Sequence, residues 1–158
     1  MANAAGRASV DANASDIFEV LVIDDDVIDV TIIKRALAKS EFPVGLQFAD
    51  GGEEALRLLR REGGFANARQ PQLILLNLGP SAEDGLSFLK SFRSDAALDQ
   101  VPVVAMADSE DPAALKQAYA AGASSVVTKI TSRDGMERLL TSIADHWFKT
   151  SKVFYLDL

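Results

Sequence analysis

Three places in this sequence put reactive side chains directly after an apolar run. Asp24-Asp25-Asp26 follows Phe18 to Ile23, Asn77 follows Leu73 to Leu76, and Lys129 follows Ser125 to Thr128. Three successive carboxylates repel one another, so they make sense where a cation shares the site. Hard oxygen ligands of this kind suit Mg²⁺, which takes one or two carboxylates, several waters and a phosphate oxygen. The plainer reading is that one Asp caps a helix while the others face water. Lys129 can serve as a point charge for an anion, or form a surface ion pair worth about 0–1 kcal/mol. Asn77 differs in kind. An amide is neutral and its nitrogen lone pair is delocalised, so it cannot attack as a carboxylate does.

The elements that must position these groups can be read from apolar periodicity. Phe18 to Ile23 is a buried strand, and Val30, Ile33 and Leu37 stripe the helix after Asp26. Pro43 to Ala49 reads as a second strand, and Ala55, Leu58 and Leu59 as the inward face of a second helix that Gly63-Gly64 stops. Leu73 to Asn77 is the central strand. A Gly79-Pro80-Ser81 loop and Asp84-Gly85 then open a third helix carrying Leu86, Leu89 and Phe92 on one face. Val101 to Met106 makes a fourth strand, with Pro102 tolerated at its start. Ser109 to Pro112 begins helix four, which continues through Leu115, Ala118, Tyr119 and Gly122. Ser125 to Thr128 is a short fifth strand, and Arg133 to Phe148 a long amphipathic helix with Met136, Leu139, Leu140, Ile143 and Trp147 along its stripe.

Strands alternating with helices require right-handed crossovers and a parallel sheet covered on both faces. The expected fold class is therefore α/β, a doubly wound five-stranded parallel sheet of flavodoxin-like order 2-1-3-4-5. In that order the strand ending at Ile23 lies beside the strand ending at Asn77, which brings Asp24 and Asp25 next to the amide.

Composition narrows the classes further. With 158 residues, one domain can bury roughly 70% of its unfolded surface. A net charge of −7 and a pI near 4.7 oppose a nucleic-acid surface, which needs clustered Lys and Arg. The absence of cysteine excludes disulfides, thiolate metal sites and cysteine nucleophiles. No run approaches the ~20 apolar residues of a membrane span, and residues 1–16, rich in Ala, Asn and Ser, read as a disordered tail without a signal-peptide core. The expectation is a cytoplasmic protein that binds neither membrane nor nucleic acid. His146, the only histidine, reads as an exposed helix residue.

Leu21-Val22-Ile23-Asp24-Asp25-Asp26, the strand ending at residue 77 with Asp84-Gly85 downstream, and Gly122-Ala123 leading to Lys129 resemble the receiver domain of two-component response regulators. The resemblance covers about residues 18–148, within an expected receiver-like domain over 17–149. It implies that Asp24 and Asp25 form the Mg²⁺-binding acid pair, that position 77 is the phosphoacceptor served by a sensor histidine kinase, and that Lys129 contacts the phosphoryl group. Several positions depart from the family pattern. The acceptor is Asn77, the Ser/Thr switch position holds Ala107, the aromatic switch position Val126, and the proline after the lysine is Ile130. Asn77 should not take phosphate, and loss of one anionic ligand leaves Mg²⁺ weakly bound or absent. Ala107, lacking a hydroxyl, cannot report a bound phosphoryl. The joint change at 107, 126 and 130 favours a naturally degenerate receiver over a single engineered substitution.

The end of the chain is similar to single-domain response regulators that partner phytochromes. Trp147 and Phe148, with an apolar tail over 150–158 containing Val153, Phe154, Tyr155 and Leu156, read as a homodimer or partner surface, or as a segment folded back on its own sheet. The implied partner is a sensor histidine kinase or a bacteriophytochrome. The implied function is signal transduction by docking, without enzymatic activity. Two alternatives stand beside it. One is an ordinary phospho-accepting receiver carrying an Asp-to-Asn change. The other is a haloacid-dehalogenase-type phosphatase suggested by Asp24-x-Asp26, although Val27-Ile28 stands where Gly-Thr is usual and no second acidic pair ends the fourth strand.

Overall fold

In the computed structural model, residues 17–79, 82–108 and 110–150 are described. The tail over residues 1–16 and the segment containing Val153, Phe154, Tyr155 and Leu156 lie outside them. Five parallel strands, β1 (Phe18–Ile23), β2 (Val44–Ala49), β3 (Leu73–Asn77), β4 (Val103–Ala107) and β5 (Ser125–Thr128), form one sheet of order β2-β1-β3-β4-β5. The helices between and after them are α1 (Val27–Ala38), α2 (Gly52–Leu59), α3 (Glu83–Ser94), α4 (Pro112–Ala121) and α5 (Arg133–Ala144). The expected fold class is therefore the observed one.

Strand alternation divides the core in two. Leu21, Ile23, Ile74, Leu76, Val103 and Ala105 face α2, α3 and α4, while Val20, Val22, Leu75, Val104 and Met106 face α1 and α5. The central strands are apolar on both sides because helices cover both, as a parallel sheet requires. Helix ends are set by local chemistry. Asp26 caps α1 by accepting from the N–H groups of Ile28 (2.8 Å) and Asp29 (3.3 Å), Asp111 caps α4 ahead of Pro112, and Ser132 caps α5 through Gly135 N–H (3.0 Å).

Three details differ from the sequence expectation. On α3 the buried face is Gly85, Phe88, Leu89 and Phe92, with Leu86 only half-buried. The spacing i, i+3, i+4, i+7 selects Phe88, and Gly52 leaves room for it: a Cβ there would lie 2.9 Å from Phe88 Cβ. The last helix does not run regularly from Arg133 to Phe148. It is α-helical to Ala144 and continues as a π-helical stretch, Asp145–Thr150. That wider turn places the Phe148 ring 4.0 Å from the ring of Phe18, and Trp147 packs half-buried against the same core. Finally, β2 and β4 begin at Val44 and Val103, just after Pro43 and Pro102. The prolines' carbonyls still accept from Phe18 and Ile74, so the chain pairs before the ladder is regular.

Candidate functional site

Register alone gathers the reactive groups. Ile23 pairs with Ala49 on one side and Leu76 on the other, and Asn77 pairs with Met106, so the residues that follow β1, β2 and β3 emerge at one sheet edge. There Asp24, Asp25, Asn77 and Gly79 line a hollow of about 190 Å³ together with Asp50, Gly51 and Asp84. The three consecutive carboxylates have separate roles. Asp26 caps α1, Asp25 is exposed at the mouth, and Asp24 is buried, with 5% of its surface exposed.

Asp24 Oδ1 accepts from Asp26 N–H (2.9 Å) and from Asn77 Nδ2 (3.1 Å). Its other oxygen, Oδ2, is buried without a hydrogen-bond partner among the described residues. Burial pushes the Asp24 carboxyl up to about 6, and the negative charge of Asp29 acts in the same direction. The hydrogen bonds from Asp26 and Asn77 and the charge of Lys129 oppose the rise. Asn77 is held at both ends of its amide: Nδ2 donates to Asp24, and Oδ1 accepts from Gly79 N–H at 3.1 Å. Gly79 adopts a left-handed φ of 70° that a side chain would strain.

On the other side of Asn77, a groove of about 450 Å³ runs between α1 and the loop after β5, lined by Asp25, Asp29, Asn77, Asp108, Lys129 and Ile130 among others. Lys129 Nζ lies 2.7 Å from Asp29 Oδ2 and 3.4 Å from Asp108 Oδ1, and its side chain is only 16% exposed. Burial works to lower the Lys129 ammonium. The hydrogen bond and charge of Asp29, with Asp108 and Asp24 behind them, outweigh it and leave the group above its ordinary value. Of the two readings for Lys129 the ion pair is thus present, but enclosed rather than superficial.

The remaining expected residues divide clearly. Ala107 is buried at the end of β4, its carbonyl accepting from Lys129 N–H (2.9 Å). Val126 is half-buried in β5, and its N–H donates to the hydroxyl of Tyr119 (3.0 Å). Ile130 is 45% exposed on the groove rim. Trp147 and Phe148 stand apart, on the α1/α5 side where β1 begins. His146 is exposed, edge-on to Trp147. Sequence reasoning passed over Asp29, Asp108 and the bracing role of Asp84, whose Oδ2 accepts from Gly52 N–H at 3.0 Å. Asp29 had one available signal, its place in the first turn of α1. Nothing in linear order indicates a partner 100 residues away.

For a divalent cation the donor set is thin. Asp24 Oδ2 and the Asp25 carboxylate would be the charged ligands, and the Asn77 oxygen is neutral and already bonded to Gly79. Among the described residues no three or more His, Cys, Asp or Glu side chains are grouped to hold a metal. Asp24 and Asp25 are thus the residues that would hold a divalent cation, with the neutral Asn77 oxygen beside them.

Comparison with known proteins agrees with this geometry. Residues 20–141 match the family model of the response regulator receiver domain. The chain is 28% identical over 135 residues to the probable methanogenesis regulatory protein FilR2 of Methanothrix harundinacea, spanning 85% of this chain and 86% of that one. It is 24% identical over 131 residues to response regulator Rcp1 of Synechocystis sp., covering 83% and 89% respectively. The Mn²⁺-bound crystal structure of Rcp1 has a TM-score of 0.80 at 22% identity over 87% of this chain and 99% of that one, a likeness of fold. The phosphorylated cyanobacterial phytochrome response regulator RcpA superposes with a TM-score of 0.82 at 29% identity, over 88% of this chain and 99% of that one. The haloacid-dehalogenase reading gains no support from either the fold or these relatives. Its sheet, its register and its matched residues together make this chain a member of the response regulator receiver domain family.

Proposed function

We propose that this protein is a receiver-domain response regulator of two-component signalling that does not accept a phosphoryl group and works by docking. Asn77 stands at the phosphoacceptor-equivalent position. The observation that carries the reading is the double engagement of its amide, which donates to Asp24 and accepts from Gly79. The side chain is neutral and committed to its neighbours, so it is a strut of the acidic pocket and not a nucleophile. Ala107, Val126 and Ile130 leave the switch positions without a hydroxyl, an aromatic ring or the proline. Mg²⁺, when bound, would shield the charge of Asp24 and Asp25, weakly for the reason given above.

The partner is a sensor histidine kinase or a bacteriophytochrome, a reading supported by the phytochrome response regulator RcpA among the relatives. Exposed Ile28 and Ile130, lining one groove with Asp25, Asp26 and Asp108, offer it an apolar patch flanked by negative charge. The terminal segment, Trp147 and Phe148 followed by Val153 to Leu156, serves a homodimer. The protein acts in the cytoplasm, and its acidity disfavours nucleic acid.

Incubation with acetyl phosphate and Mg²⁺ should leave the intact mass unchanged. A hydroxylamine-sensitive adduct on any Asp would return the chain to the ordinary phospho-accepting class. Light scattering tests the terminal segment: the full chain should be a dimer and a version ending at Thr150 a monomer. Two monomers would remove the dimer from the reading.

A further inference from the structure

The lysine of the pocket already has an anion. Lys129 Nζ meets Asp29 Oδ2 at 2.7 Å, and only 16% and 20% of the two side chains are exposed. Asp29 is well placed to stay there. It sits in the first turn of α1, and its own N–H is held by the capping carboxylate of Asp26 at 3.3 Å. Asp108, directly after β4, lies 3.4 Å from the same ammonium. The backbone of Lys129 is pinned as well, through its N–H to the carbonyl of Ala107 at 2.9 Å. The ammonium therefore ties α1, the β4–α4 loop and the end of β5 together. It shares a groove with Asn77, but its described contacts are with Asp29 and Asp108.

From this we infer that Asp29 is a resident counter-ion that occupies Lys129 in place of an incoming anion, a second block to phosphoryl-like ligands that is independent of Asn77. An anion arriving at the pocket would have to displace a carboxylate that is charged, partly desolvated and preset by the helix, and would leave Asp29 without its partner. Restoring a carboxylate at position 77 would therefore return a nucleophile to a pocket whose cation is engaged. The inference rests on the proposed reading of position 77, and concerns a different residue with a separable outcome.

The test uses the beryllofluoride anion with excess Mg²⁺, a phosphoryl mimic that coordinates a carboxylate, followed by titration calorimetry on the full-length chain. Four proteins are compared: the unmodified chain, Asn77→Asp, Asn77→Asp/Asp29→Asn and Asn77→Asp/Asp108→Asn. The unmodified chain should not bind. Asn77→Asp should bind weakly, and adding Asp29→Asn should tighten binding about tenfold, since the lysine is freed to make a charge-assisted hydrogen bond to the anion. Adding Asp108→Asn removes the same formal charge from a more exposed and more distant carboxylate, and should change affinity less than threefold. Asp29→Asn is nearly isosteric; circular dichroism and thermal unfolding establish that each variant is folded, and Asp29→Ser replaces it if it is not. Equal affinity of Asn77→Asp with and without the Asp29 change would overturn the inference, as would equal gains from Asp29→Asn and Asp108→Asn, which mark a general charge effect. Binding by the unmodified chain would instead overturn the reading of Asn77.

Discussion

The two sides of the pocket around Asn77 satisfy their charges in opposite ways. On the β1 side the buried Asp24 keeps one oxygen without a partner among the described residues, and burial drives its carboxyl up to about 6. On the β5 side the half-buried Lys129 is enclosed by Asp29 and Asp108, which hold its ammonium in the charged form. A buried group with an orphaned oxygen destabilises the fold in its charged form, whereas a buried group with close opposite charges depends on them. Removing charge from the first side should therefore stabilise the protein, and removing it from the second should destabilise it.

The largest expected effect is on the satisfied side. Lys129→Met keeps much of the aliphatic stem but leaves Asp29 in the groove without its cation. Urea unfolding should show a loss of about 3 kcal/mol, toward the lower end for breaking an enclosed pair because both side chains retain some water. A loss below about 1 kcal/mol would place this pair with exposed ones and dissolve the contrast.

Asp24→Asn probes the other side and should act with the opposite sign. The folded carboxyl titrates near 6 and the unfolded one near 3.8, so between these values the folded state holds more protons. The Asp24 contribution therefore favours folding below about 3.8 and is lost as pH rises through about 6. Other carboxylates also titrate in this range, so the informative quantity is the difference between variant and unmodified protein. Asp24→Asn should be more stable by about 2 kcal/mol above pH 6, and the gain should shrink toward zero at about pH 4. A pH-independent difference in thermal unfolding would contradict the assignment.

The smallest effect sharpens what enclosure means. Lys39 Nζ lies 3.1 Å from Glu137 Oε2 and likewise ties α1 to the C-terminal part of the fold, but the Lys39 side chain is 66% exposed. Lys39→Ala should cost less than about 0.5 kcal/mol by the same urea measurement. A cost comparable to that of Lys129→Met would mean that bridging α1, and not desolvation, sets the value.

Much of this site was legible in linear order. Apolar runs ending at Ile23, Leu76 and Thr128 located the sheet edge, and alternation of strand and helix implied the order that sets Asp24 beside Asn77, as observed. Other parts were not. The roles of the three adjacent aspartates could be foreseen only as alternatives, because which carboxylate enters the sheet edge depends on where β1 stops pairing with β2 and β3. The expected face of Leu86, Leu89 and Phe92 left out Phe88, whose burial completes the i, i+3, i+4, i+7 spacing from Gly85 and uses the hollow over Gly52 in a different element. The aromatic pair Phe18 and Phe148 required the π-helical turn, a local widening for which the periodic pattern carries no mark.

The order of side chains by itself determined the parallel sheet, the edge at which its reactive groups meet, and the neutral amide at position 77, because strand period, crossover handedness and functional-group chemistry are local or pairwise properties. Only the folded chain decided which charges are satisfied. Desolvation and pairing depend on distances across 53 residues for Asp24 and Asn77 and across 100 for Lys129 and Asp29. Coulomb interactions over such spans are set by packing, so an orphaned oxygen and an enclosed ammonium can flank the same amide.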